Sequence, residues 1–201
     1  MNNPYRIERR AVWCCTPFAG FTLIELLVCL SCVAILCLIA IPDMSDWLRK
    51  NKVEATSHYL KSHLALMRTE AINRSAPIAL CRATSDSLCA GHGLRGKRQW
   101  QQALLFEDTN NNRLWESSTE PLIRVLAFDA SVRVIWNRGD LIRYQASGYL
   151  NPSTLGSFYV FSDHDLSEGK RLVAQMTGRV RTAGLSSADQ GSLSAWLAEG
   201  G

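Results

Sequence analysis

Residues 21–41 form an apolar run, FTLIELLVCLSCVAILCLIAI, in which Glu25 is the one charge. As an α-helix rising 1.5 Å per residue it would span about 30 Å, the thickness of a bilayer's hydrocarbon core. The fold must therefore hold this helix in lipid or bury it against other apolar helices. Residues 1–20 carry Arg6, Arg9 and Arg10 against Glu8 alone. The positive-inside rule then keeps the N-terminus cytoplasmic and puts everything after Pro42 on the far side of the membrane. A secretory signal peptide fits poorly. Its apolar region is shorter and its small cleavage-site residue follows that region, whereas Gly20 precedes this one.

A carboxylate one turn into a membrane helix costs roughly 2.5–3.5 kcal/mol on insertion scales and calls for a partner. If the chain were cut between Gly20 and Phe21, the new α-amino group of Phe21 on a neighbouring subunit would lie at the depth of Glu25 and neutralise it during lateral packing. One apolar run with one glutamate is equally well read as an ordinary signal anchor.

The string Gly20-Phe21-Thr22-Leu23-Ile24-Glu25-Leu26-Leu27-Val28 resembles the type IV prepilin signature at every position. The resemblance implies cleavage after Gly20 by a prepilin peptidase, N-methylation of Phe21 and a role for Glu25 in subunit registration. It also implies other pilins as partners through the N-terminal helix, inner-membrane residence before assembly and a place in a filament afterwards. The expected organisation is a leader over 1–20, a filament-core helix over 21–41, a stem over 42–75, a head over 76–183 and a flexible tail over 184–201.

Pro42 removes one helical backbone donor, which predicts a kink rather than a stop. Beyond it Val53, Leu60, Leu64, Met67 and Ala71 recur at close to helical spacing, so 43–73 reads as an amphipathic helix laying one face on the head. Ser75-Ala76-Pro77 ends it. From there short runs rich in β-branched and aromatic residues, 78–82, 100–106, 122–128, 131–136, 141–145, 156–161, 171–176 and 179–182, read as strands. One long helix followed by an antiparallel sheet covering its apolar face is an α+β plan. The final stretch is small and polar apart from Leu193, Trp196 and Leu197, which predicts one marginal helical turn.

Seven cysteines fall at 14, 15, 29, 32, 37, 81 and 89. Cys29-Leu-Ser-Cys32 has redox-motif spacing but lies in the apolar helix, away from the strand and helix such a motif needs. Cys81 and Cys89 enclose a short polar loop, and in an exported head they would oxidise to a disulfide contributing roughly 2–3 kcal/mol in the loop-entropy model. This pair, the WxxALLFED segment from Trp100 to Asp108, the EPLIRV string and the closing RLVAQMTGRVR resemble the GspH/FimT family of minor pilins and pseudopilins. The type IV pilin fold is what that resemblance implies.

The formal net charge of +4 falls to +2 without the leader's three arginines and one glutamate, so bulk charge says little about nucleic acid. No catalytic constellation, phosphate loop or cofactor motif emerges from His58, His63, His92 and His164 or their surroundings. The chain is therefore not expected to be an enzyme, and a membrane-anchored enzyme is the weakest reading. Asp108-Thr-Asn-Asn-Asn112 begins like a calcium loop, but Arg113 stands where glycine belongs and no acid closes it at the usual distance. A polar turn is the better reading.

Gly178-Arg179-Val180-Arg181 is the local feature with chemistry. Strand alternation would put both guanidinium groups on one face about 7 Å apart, with Val180 toward the core. Two such forks match successive DNA phosphates and would bind the backbone largely without regard to sequence. The string resembles the GRxR motif of DNA-binding FimT minor pilins, which implies capture of extracellular DNA for natural transformation. Lys170 and Arg171 lie close in sequence, and Arg95, Lys97 and Arg98 form a second basic cluster. The other readings are that Arg179 and Arg181 are solvated strand residues with Gly178 kept for its turn, and that the chain is a GspH-like pseudopilin of a type II secretion system.

Overall fold

A computed structural model describes residues 20–199 apart from Asp86, His92, Leu94, Arg95 and His164, and leaves the side chains of 38–43 undescribed. The leader expectations lie outside these residues except at Gly20. The chain divides into two units, 1–43 and 44–201. Helix α1, Leu23–Arg74, is helical through Pro42, so the proline does not end the element. In the first unit the side chains from Phe21 to Leu36 are exposed, Phe21 at 82% and Val28 at 53%. Helical backbone satisfies its own polar groups, and the apolar surface is left to find cover elsewhere. Part of the expected 21–41 span lies outside the described side chains. Among the described residues no helix is long and apolar enough to cross a membrane.

In the second unit the helix buries Val53, Leu60, Leu64, Met67 and Ala71, the stripe that the spacing predicts. Positive φ at Ser75 (52°) turns the chain out of the helix into Pro77. The strands follow as β1 (Ile78–Ser85), β2 (Leu88–Cys89), β3 (Arg98–Gln99), β4 (Gln102–Glu107), β5 (Leu122–Ala127), β6 (Arg133–Trp136), β7 (Leu141–Tyr144), β8 (Gly156–Ser162), β9 (Asp165–Ala174) and β10 (Val180–Gly184). Every pairing is antiparallel.

The expected single sheet is two five-stranded sheets. One runs β2-β1-β4-β5 with β7 also on β1, the other β10-β9-β8-β6-β3. The reason is visible in burial: β8 is buried at six of its seven positions, so it needs cover on both faces. One face of each sheet joins the helical stripe in a shared core containing Trp100, Trp136, Tyr144 and Phe158. Fully burying an aromatic or aliphatic side chain is worth about 1.5–3 kcal/mol, so this shared core is a large part of what holds the head together. The back of the first sheet is covered by Leu114 and Trp115 from the 108–120 loop.

The back of the second sheet corrects the reading of 184–201 as a flexible tail. Ser187–Ala198 forms a three-turn helix, α2. Leu193 is buried against Ile135, Tyr159, Phe161 and Leu185, and Trp196 and Leu197 pack beside it. Ser186 and Asp189 make a reciprocal capping box at its N-terminus, which satisfies two otherwise orphaned backbone donors. A helix this short is marginal alone, and its packing on the sheet overrides that.

Burial raises the Asp189 carboxyl, but the Ser186 hydroxyl and backbone N–H and the charge of Arg171 outweigh burial and hold it below its ordinary value. Its contribution to stability is therefore present above the ordinary carboxylate range and lost as pH falls through the lowered value. We expect hydrogen exchange of α2 amides to rise relative to β8 as pH is lowered from 7 toward 3. Asp189→Asn should show raised exchange already at pH 7, and equal protection in the two proteins would refute the assignment.

Candidate functional site

The β9–β10 hairpin turns through Gln175-Met176-Thr177-Gly178. The Gly178 N–H donates to the Gln175 carbonyl at 2.9 Å, and the Gln175 N–H donates to that of Arg179 at 2.9 Å. Gly178 has φ +80°, and a Cβ there would overlap the Gly148 carbonyl oxygen and come within 2.9 Å of Arg68 Nε. Only glycine fits. The buried Tyr144 hydroxyl donates to the Gly178 carbonyl at 3.1 Å. Burial pushes Tyr144 up to about 12, with the nearby Arg68 charge opposing. Gly178 is thus a structural glycine, and it fixes where β10 begins.

From that anchor Arg179 and Arg181 are exposed while Val180 packs on the core. Neither arginine's side chain makes an ion pair or hydrogen bond among the described residues. In register Arg181 lies opposite Val173 and Val173 opposite Ser157, which places both arginines on the back of the second sheet, on its edge strand.

Lys170 and Arg171 do not join them as further open cations. Lys170 faces the stem, opposite Val160, and pairs with Glu54 at 3.0 Å; its hydrogen bond holds the Glu54 carboxyl low. Arg171 shares the arginine face but pairs with Asp189 at 3.2 Å, donates to Ser157 at 3.2 Å and lies 5.6 Å over the Tyr159 ring. Both charges are matched within the fold, a correction to their placement with Arg179 and Arg181. The second basic cluster is also separate. Arg98 belongs to β3, the opposite edge of the sheet, Lys97 donates to the Ser192 carbonyl of α2 at 2.7 Å, and Arg95 lies outside the described residues.

The calcium-like loop is closed by a protein cation. Asp108 is fully buried and pairs with Arg143 at 2.9 Å, whose Nη1 also donates to Asn111 Oδ1 at 2.9 Å. The other Asp108 oxygen accepts the Arg113 N–H. Glu120, raised by burial, accepts the N–H groups of Thr109 and Glu116. The loop's oxygens are thus spent on its own chain. Among the described residues no group of three or more His, Cys, Asp or Glu is placed to hold a metal.

Cys81 and Cys89 form the expected disulfide, with Cα atoms 5.7 Å apart across β1 and β2. At the other end of the chain Gly20 and Phe21 are exposed ahead of the helix. The Glu25 N–H donates to Thr22 Oγ1 at 3.3 Å, so Thr22 caps the helix and Glu25 sits in its first turn, where the helix dipole favours a carboxylate. The signature's threonine and glutamate therefore also serve their own helix, a role that the T-x-x-E spacing signals.

The family described as type II transport protein GspH matches residues 57–178. The chain belongs to the GspH family. A prokaryotic N-terminal methylation motif matches residues 16–41. Like others of the GspH class the chain is a minor pilin or pseudopilin, a structural subunit and not an enzyme. The type IV minor pilin FimU of Pseudomonas aeruginosa strain PAO1 is similar in structure, 16% identical, over 68% of this chain and 92% of that chain, with TM-score 0.50. The minor pseudopilin EpsH of the Vibrio cholerae type 2 secretion system matches at 12% identity over 66% of this chain and 97% of that one, with TM-score 0.46. No curated protein matches. The GspH match ends at Gly178, so membership carries the fold and the turn but says nothing about Arg179 and Arg181.

Proposed function

We propose that this chain is a minor type IV pilin that holds DNA by its phosphate backbone through Arg179 and Arg181. The observation that carries the reading is the pair itself: two exposed guanidinium groups on one face of an edge strand, held by a fixed turn, with no acid matched to either among the described residues. An arginine whose charge is unmatched in the fold is available to a phosphate, and its planar fork binds phosphate oxygens bidentately. The test is binding of the purified chain in detergent to duplex DNA across a salt series. Arg179→Gln/Arg181→Gln should weaken binding and flatten the plot of log affinity against log salt by about 1.8, near 0.9 per phosphate contact. An unchanged slope would remove DNA from the function and leave the pilin assignment intact.

Before assembly the chain crosses the inner membrane once with its N-terminus cytoplasmic, and a prepilin peptidase cuts it after Gly20. The basic leader and the exposed apolar side chains of 21–36 support this reading. Gly20→Val should leave an uncut precursor in the membrane, and intact mass of the recovered chain decides it: a mature product beginning at any residue other than Phe21 would move the cut site, and one beginning at methylated Phe21 would show that the cut does not depend on Gly20. A pseudopilin of a type II secretion system is the second reading, favoured by the description of the matched family. Secretion-channel genes beside the coding gene would support it, and other minor pilin genes the pilus.

A further inference from the structure

We propose that the DNA taken at this site is single-stranded, with Tyr149 stacking a base and Arg68 adding a third phosphate contact to Arg179 and Arg181; this rests on the DNA reading above. The head contains the same turn twice. Gln145-Ala-Ser-Gly148-Tyr149 repeats the pattern of Gln175-Met-Thr-Gly178-Arg179: glutamine, any residue, a hydroxyl residue, glycine, then the displayed side chain. The hydrogen bonds repeat too. The Gly148 N–H donates to the Gln145 carbonyl at 2.8 Å and the Gln145 N–H to that of Tyr149 at 2.8 Å. Gly148 has φ +75° against +80° at Gly178.

The turns lie side by side. The Leu150 N–H donates to the Met176 carbonyl at 3.0 Å, and Gly178 meets Gly148 so closely that no Cβ fits between them. Tyr149 is therefore the structural counterpart of Arg179 one turn over. It is 53% exposed, and its ring makes no ring–ring or cation–π contact among the described residues. Between the turns Arg68 of α1 donates Nε to the Gly148 carbonyl at 3.2 Å, which leaves its terminal amino groups without an acid partner among the described residues. A cluster of unmatched arginines beside a displayed aromatic face is the chemistry by which proteins hold single strands: charge follows the backbone and the ring takes an unstacked base. Duplex DNA hides its bases and would leave Tyr149 unused.

The deciding measurement is fluorescence anisotropy of the full mature chain in detergent with a labelled dT 20-mer and, separately, a 20-base-pair duplex. Tyr149→Ala, which removes an exposed side chain, should weaken dT binding about tenfold and leave duplex binding within about twofold, while Tyr149→Trp retains dT binding. Arg68→Gln should lower the salt slope for dT by about 0.7. Duplex binding with no dT binding, or dT affinity unmoved by Tyr149→Ala, overturns the inference and leaves the DNA reading standing. Failure of the unmodified chain to bind either probe overturns both.

Discussion

Arg143→Ala should cost the head about 3–5 kcal/mol, the scale for stranding one partner of a buried ion pair. Asp108 is fully buried, and among the described residues Arg143, at 2.9 Å, is its one charge partner. Without the guanidinium the carboxylate keeps, among the described residues, only the Arg113 N–H while remaining out of water. For a domain of this size the loss corresponds to a melting midpoint lower by about 10–15 °C. Adding Asp108→Asn should recover part of the loss, because an amide costs less to strand than a carboxylate. Thermal melts of the three proteins at pH 7 check the claim, and a loss under 1 kcal/mol would show that the loop relaxes and lets water in.

Gly178→Ala comes second, with an expected loss of about 2–3 kcal/mol. A left-handed backbone costs a Cβ-bearing residue roughly 1–2 kcal/mol, and here the new methyl also meets the Gly148 carbonyl, backbone that cannot rotate aside. The same change at Gly191 is the control. That glycine lies inside α2 with nothing within 4 Å of a new Cβ, so alanine there should stabilise by about 0.5–1 kcal/mol. If both variants melt alike, the twin-turn contact is softer than its geometry implies. DNA binding should fall with Gly178→Ala as well, because the turn sets the position of Arg179.

Much of this was legible from residue order, for reasons that are local. The stem stripe of Val53, Leu60, Leu64, Met67 and Ala71 follows from helical period, and the arginine pair on one face follows from strand period. The disulfide needed only two cysteines on a short loop. What escaped depends on partners distant in the chain. Lys170 and Arg171 look like companions of Arg179 until register sends one to Glu54 and the other to Asp189. Arg68 gives no sign, within its own helix, of the turn it touches. Helix α2 was legible in part: Ser186 and Asp189 stand three apart as capping residues do, but small polar neighbours masked them, and the sheet that holds Leu193 is assembled from five strands spread over residues 98–184. The repeated Q-x-[S/T]-G pattern at 145 and 175 was plain in the sequence and carries meaning only once the two turns are seen to touch.

β10 is an open sheet edge, and in a filament every head is held at high local concentration beside others. An unguarded edge under those conditions recruits the edge of the next copy, extending one sheet through several subunits. Arg179 and Arg181 set like charges against each other wherever two such edges approach. The residues proposed to hold a polyanion would therefore also keep neighbouring heads from zipping together, and neutralising them for a binding assay should be accompanied by a check for strand-mediated aggregation.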